Sequence, residues 1–221
     1  MDAMRSSAAD APVPLTAAVP GPIPAPPTDR TVTTEVWAAG PEFADAELQT
    51  LVSAGALHHL LGRVYAPADR PVDPRMRADA VWLVAGPLLT AGWTAMGLTA
   101  AWLHAGGPLP RTLHIAVAHY HRPPPARDHG PGWTFTQADV AAVGGSAAPA
   151  EADVVLLGPV RVTTVGRTVE DLLLADGSQE GRAAARLIAR FGAEGLVERL
   201  APPRRRPGIV RARRRLAELL S

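Results

Sequence analysis

The sequence predicts an α+β fold in which an N-terminal helix-and-ribbon module precedes a mixed α/β domain with a helical C-terminus. Three observations predict it. Between Thr33 and Pro67, two short helical stretches run into an apolar ribbon broken at Gly62-Arg63. Between residues 75 and 163, apolar runs of strand length alternate with stretches of helical periodicity. Beyond Thr164, apolar residues recur at three- and four-residue spacing in one segment after another.

Residues 1–28 are an Ala/Pro tract, densest in PVPLTAAVPGPIPAPP. Proline fixes φ and removes the backbone donor, so neither helix nor ladder is expected there, only a disordered or polyproline arm. Residues 29–72 form the first module. A helix over Thr34 to Ala39 is expected, capped by Thr33 and stopped by Gly40-Pro41. A second, Ala44 to Ala54, sets Leu48, Leu51 and Val52 on one face, with Gly55 as a left-handed C-terminal stop. ALHHLL, the Gly62-Arg63 turn and VYAP then read as a two-stranded ribbon. Two helices and a ribbon have the rhythm of a winged helix-turn-helix, whose second helix enters a DNA major groove. The unit is too small to bury a core alone and must lean on flanking chain.

Residues 73–200 form the α/β domain. Helices are expected over Arg75 to Val84, with Met76, Ala80 and Leu83 or Val84 inward, and over Thr94 to Ala105, with Met96, Ala100, Trp102 and Leu103 inward. LHIAVA (113–118) and WTFT (133–136) read as strands, and residues 144–153 as a flexible link. Val154 to Leu157 and Val160 to Thr163 make a hairpin around Gly158-Pro159. The helix VGRTVEDLLLA follows, its inward stripe Val169, Leu172 and Leu173. Arg182 to Phe191, Ala193 to Leu200 and Ile209 to Leu220 complete the helices, with residues 201–221 an Arg-rich C-terminal segment.

Composition narrows the function classes. There is no cysteine, which excludes disulfides, thiolate metal sites and a cysteine nucleophile, and fits a reducing, cytoplasmic setting. No apolar run reaches the roughly 18 residues of a membrane span, and the N-terminus carries no compact apolar signal region. All 22 basic residues are Arg, a bias that abundant Ala, Pro and Gly trace to GC-rich coding. Residues 1–150 hold 9 Arg against 12 acids, and residues 151–221 hold 13 against 9. The positive charge therefore lies at the end opposite the expected DNA-reading helix, although phosphate neutralisation supplies much of DNA affinity.

Several segments, taken in order, resemble the AbiEi-like antitoxins, the regulator half of a bacterial type IV toxin–antitoxin pair. They are Thr33-Thr34 to Gly40, Leu48 to Leu51-Val52 to Gly55, and Leu57-His58-His59-Leu60-Leu61-Gly62-Arg63-Val64-Tyr65-Ala66. Further on come Thr99-Ala100-Ala101-Trp102-Leu103-His104, Leu113-His114-Ile115-Ala116-Val117, and Val162-Thr163 with Arg167-Thr168-Val169-Glu170-Asp171-Leu172. Together they span residues 31 to 175. The resemblance implies operator DNA as partner, no cofactor, and a C-terminal part that opposes a nucleotidyltransferase-like toxin. It departs at the start, where a proline tract replaces the family's preceding helix, and in the second helix, which carries no Arg.

The expected DNA contacts are Thr33 and Thr34 by that resemblance, with Gln49, Thr50 and Ser53 able to reach base edges and Arg63 and His58 on the wing. The opposing expectation is a protein-interaction module that kept the fold and lost DNA recognition, because residues 31–80 hold 4 Arg against 7 acids. A secondary basic patch is expected at Arg204, Arg205, Arg206, Arg211, Arg213, Arg214 and Arg215, its Arg face outward. Arg167 and Asp171, spaced i, i+4, read as a structural ion pair. His119 and His121 share a strand face and would need Asp128 or His129 to complete a metal site; in a Pro/Arg loop they read as solvated, and no metal is expected. No phosphate loop, dinucleotide fingerprint, nucleophile elbow or zinc-protease helix occurs, so no catalytic residue and no enzyme is expected.

Overall fold

The computed structural model describes residues 36–86, 89, 93–117, 130–138, 153–201 and 206–221. It is an α+β arrangement with two sheets. The first begins where a helix was expected. Residues 34 and 35 lie outside the described set, but β1 (Trp37–Ala38) is extended and pairs antiparallel with Tyr65 and Val64 of β3 (Val64–Pro67). The nascent helix loses to ladder partners 26 and 28 residues on, because the three residues between Val36 and Gly40 are too few to close helical turns of their own.

Helix α1 (Asp45–Ser53) follows, with Gly55 at φ 75° stopping it as its position predicts. Ala44 offers no side-chain acceptor, yet Glu47 Oε2 accepts the Ala44 N–H at 2.8 Å, half of a capping box. Strand β2 (Leu57–Leu61) turns at Gly62-Arg63 into β3, giving the order β1-β3-β2. Leu48, Leu57 and Tyr65 form a small core under α1. The expected inward face is corrected at Leu51, which is 43 % exposed; Leu48 and Val52 alone carry the apolar contact.

Helix α2 (Pro74–Ala85) starts at an Asp73 cap that accepts the Met76 N–H, with Pro at its first position. It lies between the sheets: Leu60, Leu61, Val64 and Ala66 of the ribbon join Met76, Ala80, Val81, Ile115 and Val162 in one continuous core. That core runs across residues 72–73, where the sequence suggests a boundary. The second sheet has the order β6-β5-β4-β8-β7, with β4 (Thr94–Ala95), β5 (Thr112–Val117), β6 (Gly132–Gln137), β7 (Val154–Leu157) and β8 (Val160–Thr163). Thr94 and Ala95, expected to open a helix, are instead strand, because they ladder onto Ala116, Ile115 and Val162. Helix α3 therefore starts at Gly97 and runs Gly97–Ala105.

On the far side of α3, helices α4 (Val165–Leu174), α5 (Ser178–Phe191), α6 (Leu196–Leu200) and α7 (Ile209–Leu220) close a second core. Its members include Val169, Leu172, Leu173, Leu187 and Leu216, recurring at helical spacing. Among the described residues no helix is long and apolar enough to cross a membrane.

Candidate functional site

The exposed element of the N-terminal module is α1. Leu48 is its one fully buried residue, while Ala46, Glu47, Gln49, Thr50, Leu51 and Ser53 are exposed. Three polar contacts hold the helix on the ribbon. Gln49 Nε2 donates to Tyr65 Oη at 2.7 Å, and that hydroxyl donates to Asp45 Oδ1 at 2.8 Å. Arg63 at the turn meets the same carboxylate, Nε to Oδ1 3.3 Å. Burial and the Asp45 carboxylate both push the Tyr65 phenol above its ordinary range, so the hydroxyl stays a donor at neutral pH.

These contacts redistribute the expected DNA-reading set. Gln49 is spoken for by Tyr65, and Arg63 is half neutralised by Asp45. The hydroxyls of Thr50 and Ser53 donate back to Ala46 O and Gln49 O, leaving their lone pairs outward as acceptors. His58 is corrected. Strand alternation puts it with Leu60, on the side that meets α2 and α3, away from α1. It is His59 that lies against Tyr65, edge-on at 5.7 Å, with its ring nitrogen bonded to Gly62 O. Thr33 and Thr34 lie outside the described residues, as do His119, His121, Asp128 and His129. Among the described residues no group of three metal-ligating side chains comes together.

The basic patch is corrected more strongly. Arg206 Nη1 donates to the buried Glu170 Oε1 at 2.6 Å. Arg211 reaches Asp176 at 2.7 Å and the carbonyl of Leu174, and Arg215 reaches Asp176 and the carbonyls of Leu173 and Ala175. Both thus sit at the C-terminal end of α4, where unpaired carbonyls and the helix dipole favour a cation. Arg213 Nε donates to Leu200 O at 2.6 Å, the same device at the end of α6. Arg214 alone of the described patch points fully outward, beside Glu218 at 3.7 Å. The expected outward Arg face is mostly turned inward, because the carbonyl ends of two helices bind guanidinium better than water does. Arg204 and Arg205 lie outside the described residues.

The Arg167–Asp171 pair is present, Nε to Oδ1 3.0 Å, and belongs to a larger buried network. Arg167 Nη1 also meets Asp153 Oδ2 at 3.0 Å, and Arg199 bridges Asp153 Oδ1 and Glu170 Oε2, both at 2.6 Å. Burial alone would raise Asp153; hydrogen bonds from Arg199 and Arg167, with their charges, instead carry it below its ordinary value. Among the described residues three carboxylates face three guanidinium groups, and the network clamps the start of β7, α4, α6 and the approach to α7. The i, i+4 spacing discloses Arg167 and Asp171. Nothing local marks Asp153 or Arg199, which reach the site from other elements. No protein-family model matches the chain, and no curated protein does either.

Proposed function

We propose that the chain is a DNA-binding regulator of the antitoxin type, with α1 as its recognition helix and the β2–β3 ribbon as its wing. The observation that carries this reading is the outward stance of α1, which buries Leu48 and leaves Thr50, Leu51 and Ser53 uncovered by the described residues. The β2–β3 ribbon packed beside this helix supports it; among the described residues one helix precedes the ribbon where two are expected, the first being replaced by β1. Thr50 and Ser53 reach base edges, while Arg63 at the ribbon turn supplies a positive charge. By the family resemblance, residues 73–200 oppose a nucleotidyltransferase-like toxin.

With one guanidinium group, Arg63, on this face, log K should fall against log salt with a slope of only about −1. The test is fluorescence anisotropy with a duplex from immediately upstream of the chain's own coding sequence, against a shuffled duplex of equal composition. Tighter binding to the first, weakened by Thr50→Ala and Ser53→Ala, supports the reading; equal binding to both removes it.

A specific observation favours a second reading, a protein-interaction module. The same surface exposes Phe43 and Leu51 beside Glu42 and Glu47, and Asp45 already occupies Arg63. An acidic apolar face suits a basic protein better than phosphate. Glu47→Lys separates the two: it tightens DNA binding under the first reading, and weakens capture of a co-expressed toxin partner under the second.

A further inference from the structure

Between the ribbon and the end of α3 lies an open cleft of about 420 Å3. Its apolar wall is Leu60, Val72, Trp102 and Leu109; its polar wall is His58, Arg77 and Arg190. A volume of this order lies within the roughly 300–1,000 Å3 of small-molecule sites, which combine apolar walls with a few converging polar groups.

The charge in this cleft is unbalanced. Most arginines of the chain's other end are matched: Arg167, Arg199, Arg206, Arg211 and Arg215 all meet carboxylates. Among the described residues, Arg77, Arg186 and Arg190 have no carboxylate within ion-pair distance. Arg77 is 5 % exposed and spends its donors on carbonyls, with Nη1 on Val72 O at 2.8 Å and Nε and Nη2 on Leu103 O. Those bonds orient its plane without neutralising it. Burial, with the Arg190 charge beside it, holds the Arg77 guanidinium below its ordinary value, and the Asp73 carboxylate offsets only part of this. Arg190, one turn after Arg186 on α5, is exposed and lies over the ring of Phe191 at 5.6 Å. The buried Arg186 Nε has no hydrogen-bond partner among the described residues.

The backbone is shaped to the same end. Gly106 and Gly107 follow α3 at φ 69° and 98°. A Cβ at Gly107 would stand 2.8 Å from Arg186 Nε, and one at Gly106 3.4 Å from Arg77 Nη1. Glycine at both positions lets the guanidinium groups of Arg77 and Arg186 approach one backbone turn that larger residues would push away.

We propose that this cleft binds a small phosphate-bearing anion, with Arg190 contacting the phosphate, Arg77 supplying fixed positive charge behind it, Arg186 adding its charge from beside Gly107, and Trp102 and Leu109 covering the ligand's apolar part. Phosphate is favoured over a lone carboxylate because two or more uncompensated guanidinium groups match a dianion, and the planar fork matches its geometry. A free small molecule is favoured over a nucleic-acid backbone because Arg77 lies sunken behind the ribbon, where a duplex cannot follow. The proposal stands whether or not α1 meets DNA.

Isothermal titration calorimetry of the full chain with inorganic pyrophosphate, and separately with adenosine monophosphate, tests it. Saturable one-to-one binding is expected, unchanged in Arg182→Glu, an exposed control on α5, and at least about tenfold weaker in Arg190→Glu. Because the new carboxylate would itself supply the missing anion, Arg190→Glu should keep or raise the melting temperature, so a loss of binding cannot be laid to unfolding. Arg190→Gln, which adds no anion, should also weaken binding. Absence of saturable binding by both ligands, or equal affinity in wild type and Arg190→Glu, overturns the proposal. So does an Arg190→Glu effect confined to duplex DNA, which would make the cleft wall a backbone contact.

Discussion

Arg199 and Glu170, 29 residues apart in the chain, meet at 2.6 Å in the interior, and Arg206 meets the other oxygen of the same carboxylate at 2.6 Å. Glu170 is 1 % exposed, and its charge is tolerated because guanidinium groups, Arg199 and Arg206 among them, face it. This carboxylate ties α6 and the approach to α7 onto α4, and three outcomes follow from such internal use of charge.

Removing Glu170 should leave Arg199 and Arg206 without compensation in a poorly solvated site. Glu170→Ala should lower stability by about 3–5 kcal/mol in urea unfolding, whereas Glu170→Leu combined with Arg199→Met should lose much less. Equal loss in the single and double variants would contradict this account.

The members of the Arg-rich segment should behave unequally. Arg215 serves the carbonyl end of α4, and Arg215→Ala should cost about 1 kcal/mol, while Arg214→Ala should stay within about 0.5 kcal/mol. Thermal melts of the two variants side by side decide it.

Stability should fall on mild acidification. His104 Nε2 donates to Thr163 O at 2.8 Å, and burial first, then the Arg77 charge, lowers its pKa below the ordinary value; burial lowers His114 as well. The unfolded chain takes up these protons near the ordinary histidine value of about 6.5 while the folded chain resists. Stability is therefore fully present above that value and is lost as pH falls toward the folded-state values. The urea midpoint should drop between pH 7 and pH 5, and His104→Gln, which keeps a donor, should flatten the profile.

Tyr65→Phe removes the hydroxyl that joins Gln49 to Asp45. A loss of about 1 kcal/mol is expected, with faster amide exchange confined to α1. Under the DNA-binding reading, the same variant should weaken duplex binding by loosening the helix and leave its salt slope unaltered.

How far the chain could be read beforehand differs by kind of information. The outward α1 and its ribbon were legible because Leu48, Val52, Gly55 and the Gly62-Arg63 turn act within a few residues of one another. Leu51 was misread as inward, since three- and four-residue spacing does not say which of two adjacent apolar residues meets the partner. Arg77 could have been noticed as a charge beside the inward Met76 and Ala80, but its neighbours Arg186 and Arg190 could not be placed next to it.

The sequence by itself determined the α+β class, most helix and strand positions, and the i, i+4 pair of Arg167 and Asp171, because backbone preference and periodicity act locally. Only the tertiary structure decided that Trp37–Ala38 is a strand, that Asp153 and Arg199 complete the buried network, and that the C-terminal arginines bind helix ends. A short strand needs its ladder partner, and a charge is satisfied by whatever group the fold brings within about 3 Å of it. Neither partner is near in the chain.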